Sequence, residues 1–174
     1  IDHSGLLPRL AVLGYRGPIY ATPASIDLLA VLLPDSAHIQ EGDAQRDARR
    51  FKGKPVLPPL YTLRDAHECL QQAQGIEYEQ EFAPGTGVRV RFLDAGHILG
   101  SAIVEVWVTE RGSPTKIVFS GDLGQPGRAI LRDPARVEEA DILVVESTYG
   151  DRLHKDLSAT ETEMIDIVKE TLFE

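Results

Sequence analysis

Along this chain His and carboxylate side chains recur where apolar runs stop, and that placement limits the folds open to it more than any bulk property does. Asp2-His3 stands at the start. Asp94-Ala95-Gly96-His97 follows Val88-Arg89-Val90-Arg91-Phe92, Ser120-Gly121-Asp122 follows Lys116-Ile117-Val118-Phe119, and Glu146-Ser147-Thr148-Tyr149-Gly150 follows Ile142-Leu143-Val144-Val145. The runs read as strands: residues 88–92 and 103–108 alternate with a period of two, and 116–119 and 142–145 are mostly apolar, as buried strands are. Strands that end on one rim of a sheet gather side chains that are remote in sequence. Imidazole and carboxylate are ligands that divalent ions such as zinc take, so the series predicts a metal site on that rim.

Helical patterns fill the intervals. Residues 5–13 read as a short helix with Ser4 as cap and Gly14 as stop, 18–21 as a short buried strand, and Thr22-Pro23 as the opening of a second helix through Leu33. A polar helix is expected over 35–50, followed by a connection rich in proline at Pro55, Pro58 and Pro59. Thr62 with Asp65 caps a helix over 63–74, and Ser158-Ala159-Thr160-Glu161 is a capping box before an amphipathic helix with Met164, Ile167, Val168 and Leu172 on one side. Gly85, Gly87, Gly112 and Pro114 mark the turns between strands. The alternation is α/β, a mixed sheet flanked by helices, and 174 residues is the length of one domain.

A single cysteine, Cys69, excludes an internal disulfide framework and fits a reducing cytoplasm. Nothing reads as a signal peptide, and the longest apolar stretch, Leu28 to Leu33, falls far short of the roughly 20 residues needed to cross a bilayer, so a soluble cytoplasmic protein with no membrane partner is expected. The net charge of −9 counts against a general affinity for nucleic acid. Bound metal would neutralise part of it, however, and net charge does not describe one face of a molecule. Arg46, Arg49, Arg50, Lys52 and Lys54 form a basic run that reads either as a phosphate contact or as a solvated helix C-terminus, where basic residues are favoured.

Four motifs in order, Ile1-Asp2-His3, Asp94-Ala95-Gly96-His97-Ile98-Leu99-Gly100-Ser101-Ala102, Phe119-Ser120-Gly121-Asp122-Leu123-Gly124 and Val145-Glu146-Ser147-Thr148-Tyr149-Gly150-Asp151-Arg152, resemble the metallo-β-lactamase superfamily. The first matches the tail of that superfamily's His-x-His-x-Asp-His signature. The later ones are similar to the β-CASP branch, the RNA-processing nucleases related to the mRNA 3′-end cleavage factor. The likeness runs from residue 1 to about Leu157.

The resemblance implies a partial αββα sandwich: residues 1–174 as a metallo-β-lactamase domain incomplete at its N-terminus, with a β-CASP domain after Glu174. The chain opens on Ile and its only methionine is Met164, which fits an internal fragment of a longer protein. The resemblance further implies metal ligands at Asp2, His3, His97 and Asp122, with His97 on a first ion, Asp2 and His3 on a second, and Asp122 bridging the two. Catalytic roles fall by the same carry-over on Asp2, Asp122 and Glu146, the last pairing with a histidine beyond Glu174 that acts on the leaving oxygen. Gly121 and Gly124 would leave room for the close approach at the bridge. Asp94 reads either as the acceptor that sets the His97 tautomer or as a solvated strand-end carboxylate. His38 and His67 carry no role, and His154 at most a hydrogen bond behind a ligand; nothing in the sequence marks the residues that bind substrate.

The function implied is a zinc-dependent phosphodiester hydrolase, an endo- or exoribonuclease acting on single-stranded RNA in processing or decay. The complete protein would hold two zinc ions and could form a homodimer. The rival readings are another hydrolase of the superfamily acting on thioesters or lactones, a DNA-repair nuclease of the same branch, and a scaffold subunit that has lost its metals. Glu146 and the residues after it favour the RNA branch, and every ligand position the chain covers is filled, which disfavours the scaffold. The 174 residues alone, without the leading histidines or those beyond Glu174, are expected to be nearly or wholly inactive.

Overall fold

The structure, a computed structural model, describes residues 3–153 and 157–173; Asp2 and His154 lie outside the described residues. Its larger sheet has five strands in the order β3 (Glu81–Gly85), β4 (Val88–Asp94), β5 (Ala102–Val108), β6 (Thr115–Phe119) and β7 (Ile142–Val144). Neighbours are antiparallel from β3 to β6, and β7 joins β6 in parallel. So β4, β6 and β7 run in the same direction and end on one rim, where β5 begins with Ala102 opposite Asp94. Loops leave that rim after residues 94, 119 and 144, and they carry the candidate segments expected to follow the runs 88–92, 116–119 and 142–145. The strand β3, which no alternating pattern announces, contains Pro84; an edge strand tolerates proline because one side of its backbone needs no ladder bond.

One face of this sheet buries Leu93, Ala95, Ile103 and Val118, covered by Ala135 and Val137 from the crossover between β6 and β7. The alternation that puts these residues inward continues to Arg91 and Glu105 on the same face, since Arg91 stands opposite Glu105 and Glu105 opposite Val118. Glu105 is almost fully buried and accepts from Arg91 at 2.7 Å and from Lys116 Nζ at 2.7 Å. Burial pushes its carboxyl upward, but the bonds from Lys116 and Arg91 outweigh that and hold it below the ordinary carboxylate value. A carboxylate depressed in the folded state adds stability above its unfolded pKa and gives it up as the pH falls through the folded one. Glu105→Ala is therefore expected to cost about 3 kcal/mol at neutral pH, the range for removing one partner of a buried pair, and to flatten the acid limb of unfolding. Urea midpoints at neutral and acid pH test this; equal stability of variant and parent at neutral pH would show the pair to be dispensable.

The second layer is helical: α1 (Leu7–Val12), α2 (Pro23–Arg50) and α3 (Leu63–Leu70), with a two-stranded parallel sheet of β1 (Ile19–Ala21) and β2 (Ala73–Gly75). The expected stop after Leu33 does not occur, and α2 runs on through Pro34. Leu29, Leu33 and Ala37 recur at helical spacing and are buried with Tyr61 and Ala66, so the packing on both sides of Pro34 outweighs its one missing backbone donor. The helix expected to reach residue 74 ends at Leu70, because Ala73–Gly75 pairs with Ile19–Ala21. Thr22 and the Thr62–Asp65 capping box open α2 and α3 at the positions expected. Ser4 does not cap α1: Leu6 is the N-cap, and Ser4 contributes its carbonyl to Leu7 N–H. The last helix, α4 (Leu157–Phe173), starts before Ser158, and Met164, Ile167, Val168 and Leu172 on it are exposed.

The architecture is the α/β one expected, a mixed sheet with helices beside it that fits part of an αββα sandwich. Among the described residues no helix is long and apolar enough to cross a membrane.

Candidate metal centre

The loop from Ala95 to Ser101 presents His97. Asp94 Oδ1 accepts from Gly96 N–H at 2.8 Å, so the carboxylate folds back to close the turn rather than reaching the His97 imidazole or standing in solvent. Gly96 has φ +64°, and a Cβ there would lie 2.7 Å from the Arg132 carbonyl oxygen and 2.8 Å from Pro134 N. Only glycine fits both the dihedral and the space. Ser101 Oγ then accepts from His97 N–H at 3.1 Å and Ile98 N–H at 3.2 Å. The carbonyl of Gly100 accepts from Thr22 Oγ1 at 2.7 Å and Ser25 Oγ at 3.0 Å, tying the loop to the start of α2.

Asp122 sits on the loop after β6. Ser120, which is buried, donates its N–H to Val144 and accepts from Glu146 N–H through Oγ at 3.1 Å. Glu146 Oε1 accepts from Leu123 N–H at 2.6 Å. That backbone bond is the main reason its carboxyl lies below the ordinary value; burial works the other way, while Thr148 and the nearby His97 and His3 reinforce the lowering. In the described residues Glu146 thus acts on the Asp122 loop itself. Gly124 N–H donates to Ala95 O at 2.8 Å, and a Cβ on Gly124 would stand 1.7 Å from Gly96 O and 2.7 Å from His97 N. The backbones of the two loops touch there, a contact different from the approach of the carboxylate to metal expected of this glycine.

These constraints bring His97 Nε2 to 3.8 Å from Asp122 Oδ2, and His3 Nε2 stands 3.5 Å from the same oxygen. Both distances are too long for hydrogen bonds. A zinc ion with ligand bonds of about 2.0 to 2.2 Å in a tetrahedron holds neighbouring ligand atoms roughly 3.3 to 3.6 Å apart, so the His3 spacing is that of atoms sharing an ion and the His97 spacing is slightly wider. The residues fit a divalent ion in donor chemistry and in spacing. They do not close a site alone: among the described residues no group of three His, Cys, Asp or Glu forms a complete metal-holding cluster, and the arrangement is two pairs that share one oxygen.

The three side chains are each about half exposed and face a cleft of about 640 Å³, whose lining also includes Gln125, Arg128 and Glu146. His38 and His67 are exposed on α2 and α3 and line no part of it. Sequence reasoning missed the holding residues. Ser101 and Ser120 stood inside the quoted motifs, at loop positions where a hydroxyl can bond the backbone. The link from Thr22 to Gly100 spans 78 residues and leaves no local trace.

No family model matches the chain. It is similar to ribonuclease TTHA0252 of Thermus thermophilus, 33% identical over 172 residues, which cover 99% of this chain and 35% of that protein. Transcription termination factor FttA of Pyrococcus abyssi is 32% identical over 176 residues, covering 99% of this chain and 25% of the factor. FttA of Cenarchaeum symbiosum is 30% identical over 166 residues, 94% of this chain and 23% of its own length. The chain spans about a third of the first relative and about a quarter of the other two.

Proposed function

We propose, from the premise that this chain is related over almost all of its length to the β-CASP RNA-processing nucleases of the metallo-β-lactamase superfamily, that the protein hydrolyses phosphodiester bonds of single-stranded RNA with zinc. What carries the reading is one oxygen of Asp122 that faces two imidazoles in an open cleft, at ligand-like spacing from His3 and slightly wider from His97. The relationship implies a metal cofactor; zinc and a count of two ions belong to the proposal. So does the ligand set, His97 on one ion, Asp2 and His3 on the other, and Asp122 between them. Residues 1–174 are proposed as the metallo-β-lactamase domain, with a β-CASP domain following in the complete protein.

Divalent ions bound there supply Lewis-acid chemistry, polarising a phosphoryl group and making water acidic enough to lose a proton near neutral pH. The chain's own residues do the rest. His3 and His97 offer Nε2 toward the shared oxygen, and as neutral imidazoles they can hold a cation without adding charge. Contact between Gly124 and Gly96 sets how far apart the His97 and Asp122 loops stand. Glu146 fixes the Asp122 loop by taking Leu123 N–H, so it orients the bridging carboxylate within this chain, beside the proposed pairing with a later histidine.

Full-length protein incubated with labelled single-stranded RNA is expected to cleave it, to stop when a chelator strips the metal, and to recover on addition of zinc. Cleavage that survives metal removal would sink the proposal. Rapid turnover of a thioester with no action on RNA would do the same and point to the other hydrolases of the superfamily.

A further inference from the structure

Among the described residues that line the cleft, Arg128 is the one with a fixed positive charge. Its guanidinium donates to the neutral Gln125 Oε1 at 2.6 Å, and no carboxylate among the described residues pairs with it. The loop that carries it is tied down at several points, by Gly124 N–H to Ala95 O, by Gly127 N–H to Asp133 Oδ1 at 2.7 Å and by Ala135 N–H to Asp94 O. A cation held beside Asp122 and Glu146, yet bonded to neither, is suited to an anion that enters from outside. Next to it Ile98, Leu99 and Ile130 stand 50%, 65% and 84% exposed and border a shallow hollow shared with His97 and Arg128. Apolar side chains grouped at the mouth of a cleft mark a surface that a ligand covers.

We infer that Arg128 with the shelf of Ile98, Leu99 and Ile130 forms the subsite for a nucleotide adjoining the bond to be cut, the guanidinium taking a phosphate and the shelf a nucleobase. The forked donors of arginine match two phosphate oxygens at once, and single-stranded RNA offers unstacked base faces to apolar contacts. This inference rests on the reading of the cleft as an RNA hydrolase and names its substrate contacts.

The test uses the full-length, metal-loaded protein and two oligomers of equal length, one of RNA and one an abasic ribose-phosphate chain. Arg128→Ala is expected to raise KM for both by about tenfold to a hundredfold, the loss of one charge-assisted contact, with bound metal unchanged. Arg128→Lys should recover part of that, because lysine keeps the charge and loses the fork. Leu99→Ser and Ile130→Ser should raise KM for RNA alone. An unchanged KM in Arg128→Ala, or equal losses on both oligomers in the shelf variants, overturns the subsite while the hydrolase reading stands. A parent protein that leaves RNA uncut overturns both together.

Discussion

Asp122→Ala in the full-length protein is expected to abolish turnover, lowering kcat by about a thousandfold or more, which corresponds to about 4 kcal/mol of lost transition-state stabilisation. The reason is geometric: a single oxygen of this residue stands nearest to both imidazoles, so its removal weakens both halves of the centre at once. Asp122→Asn should do nearly as much, because an amide keeps the shape but not the charge that balances two cations. Folding should survive, with a change within about 1 kcal/mol, since the side chain is 41% exposed and leaves no cavity. His38→Ala and His67→Ala, on exposed positions of α2 and α3, serve as controls expected to leave turnover intact. Single-turnover cleavage and elemental analysis of bound metal decide the matter. Near-normal metal content and activity in Asp122→Ala would show that the oxygen is not shared.

Gly124→Ala should be nearly as damaging although it removes no chemical group. Its methyl would fall 1.7 Å from the Gly96 carbonyl oxygen and 2.7 Å from His97 N, and both are backbone atoms that cannot swing aside. The two loops must part, breaking the bond from Gly124 N–H to Ala95 O and moving His97 away from Asp122. Displacement of about 1 Å in a catalytic group can cost a hundredfold, so kcat should fall by about that much with every proposed ligand still present. Stability should drop by about 2 to 3 kcal/mol, the cost typical of forced strain in packed backbone. The variant that binds metal and turns over like the parent would show that this contact does not set the spacing of the two loops.

The strands that carry the site are readable because their patterns are local. Residues 88–92, 103–108 and 116–119 alternate or run apolar, and each lies within an observed strand. Ala73-Gln74-Gly75 carries no such pattern; it becomes β2 only by pairing with Ile19–Ala21, a partner that no nearby residue announces. Pro34 fails in the opposite way. Its local chemistry says stop, and the burial of Leu33 and Ala37 against Tyr61 and Ala66 overrules it.

Which imidazoles and carboxylates follow an apolar run, and so are candidates for the rim, was legible in the sequence, because that is a local fact of residue type and position. The sequence could not assign those groups their partners. Asp94 turns onto Gly96, Glu146 onto Leu123, and Asp122 toward two histidines at once. All three are carboxylates in similar strand-end settings, so their own chemistry does not distinguish them. Asp94 is taken up by a turn bond two residues along its own loop, whereas Glu146 meets Leu123 across 23 residues and Asp122 faces His97 from a separate loop. Those two pairings depend on β4, β6 and β7 ending on one rim and on the contact of Gly124 with Gly96, which only the tertiary structure decides.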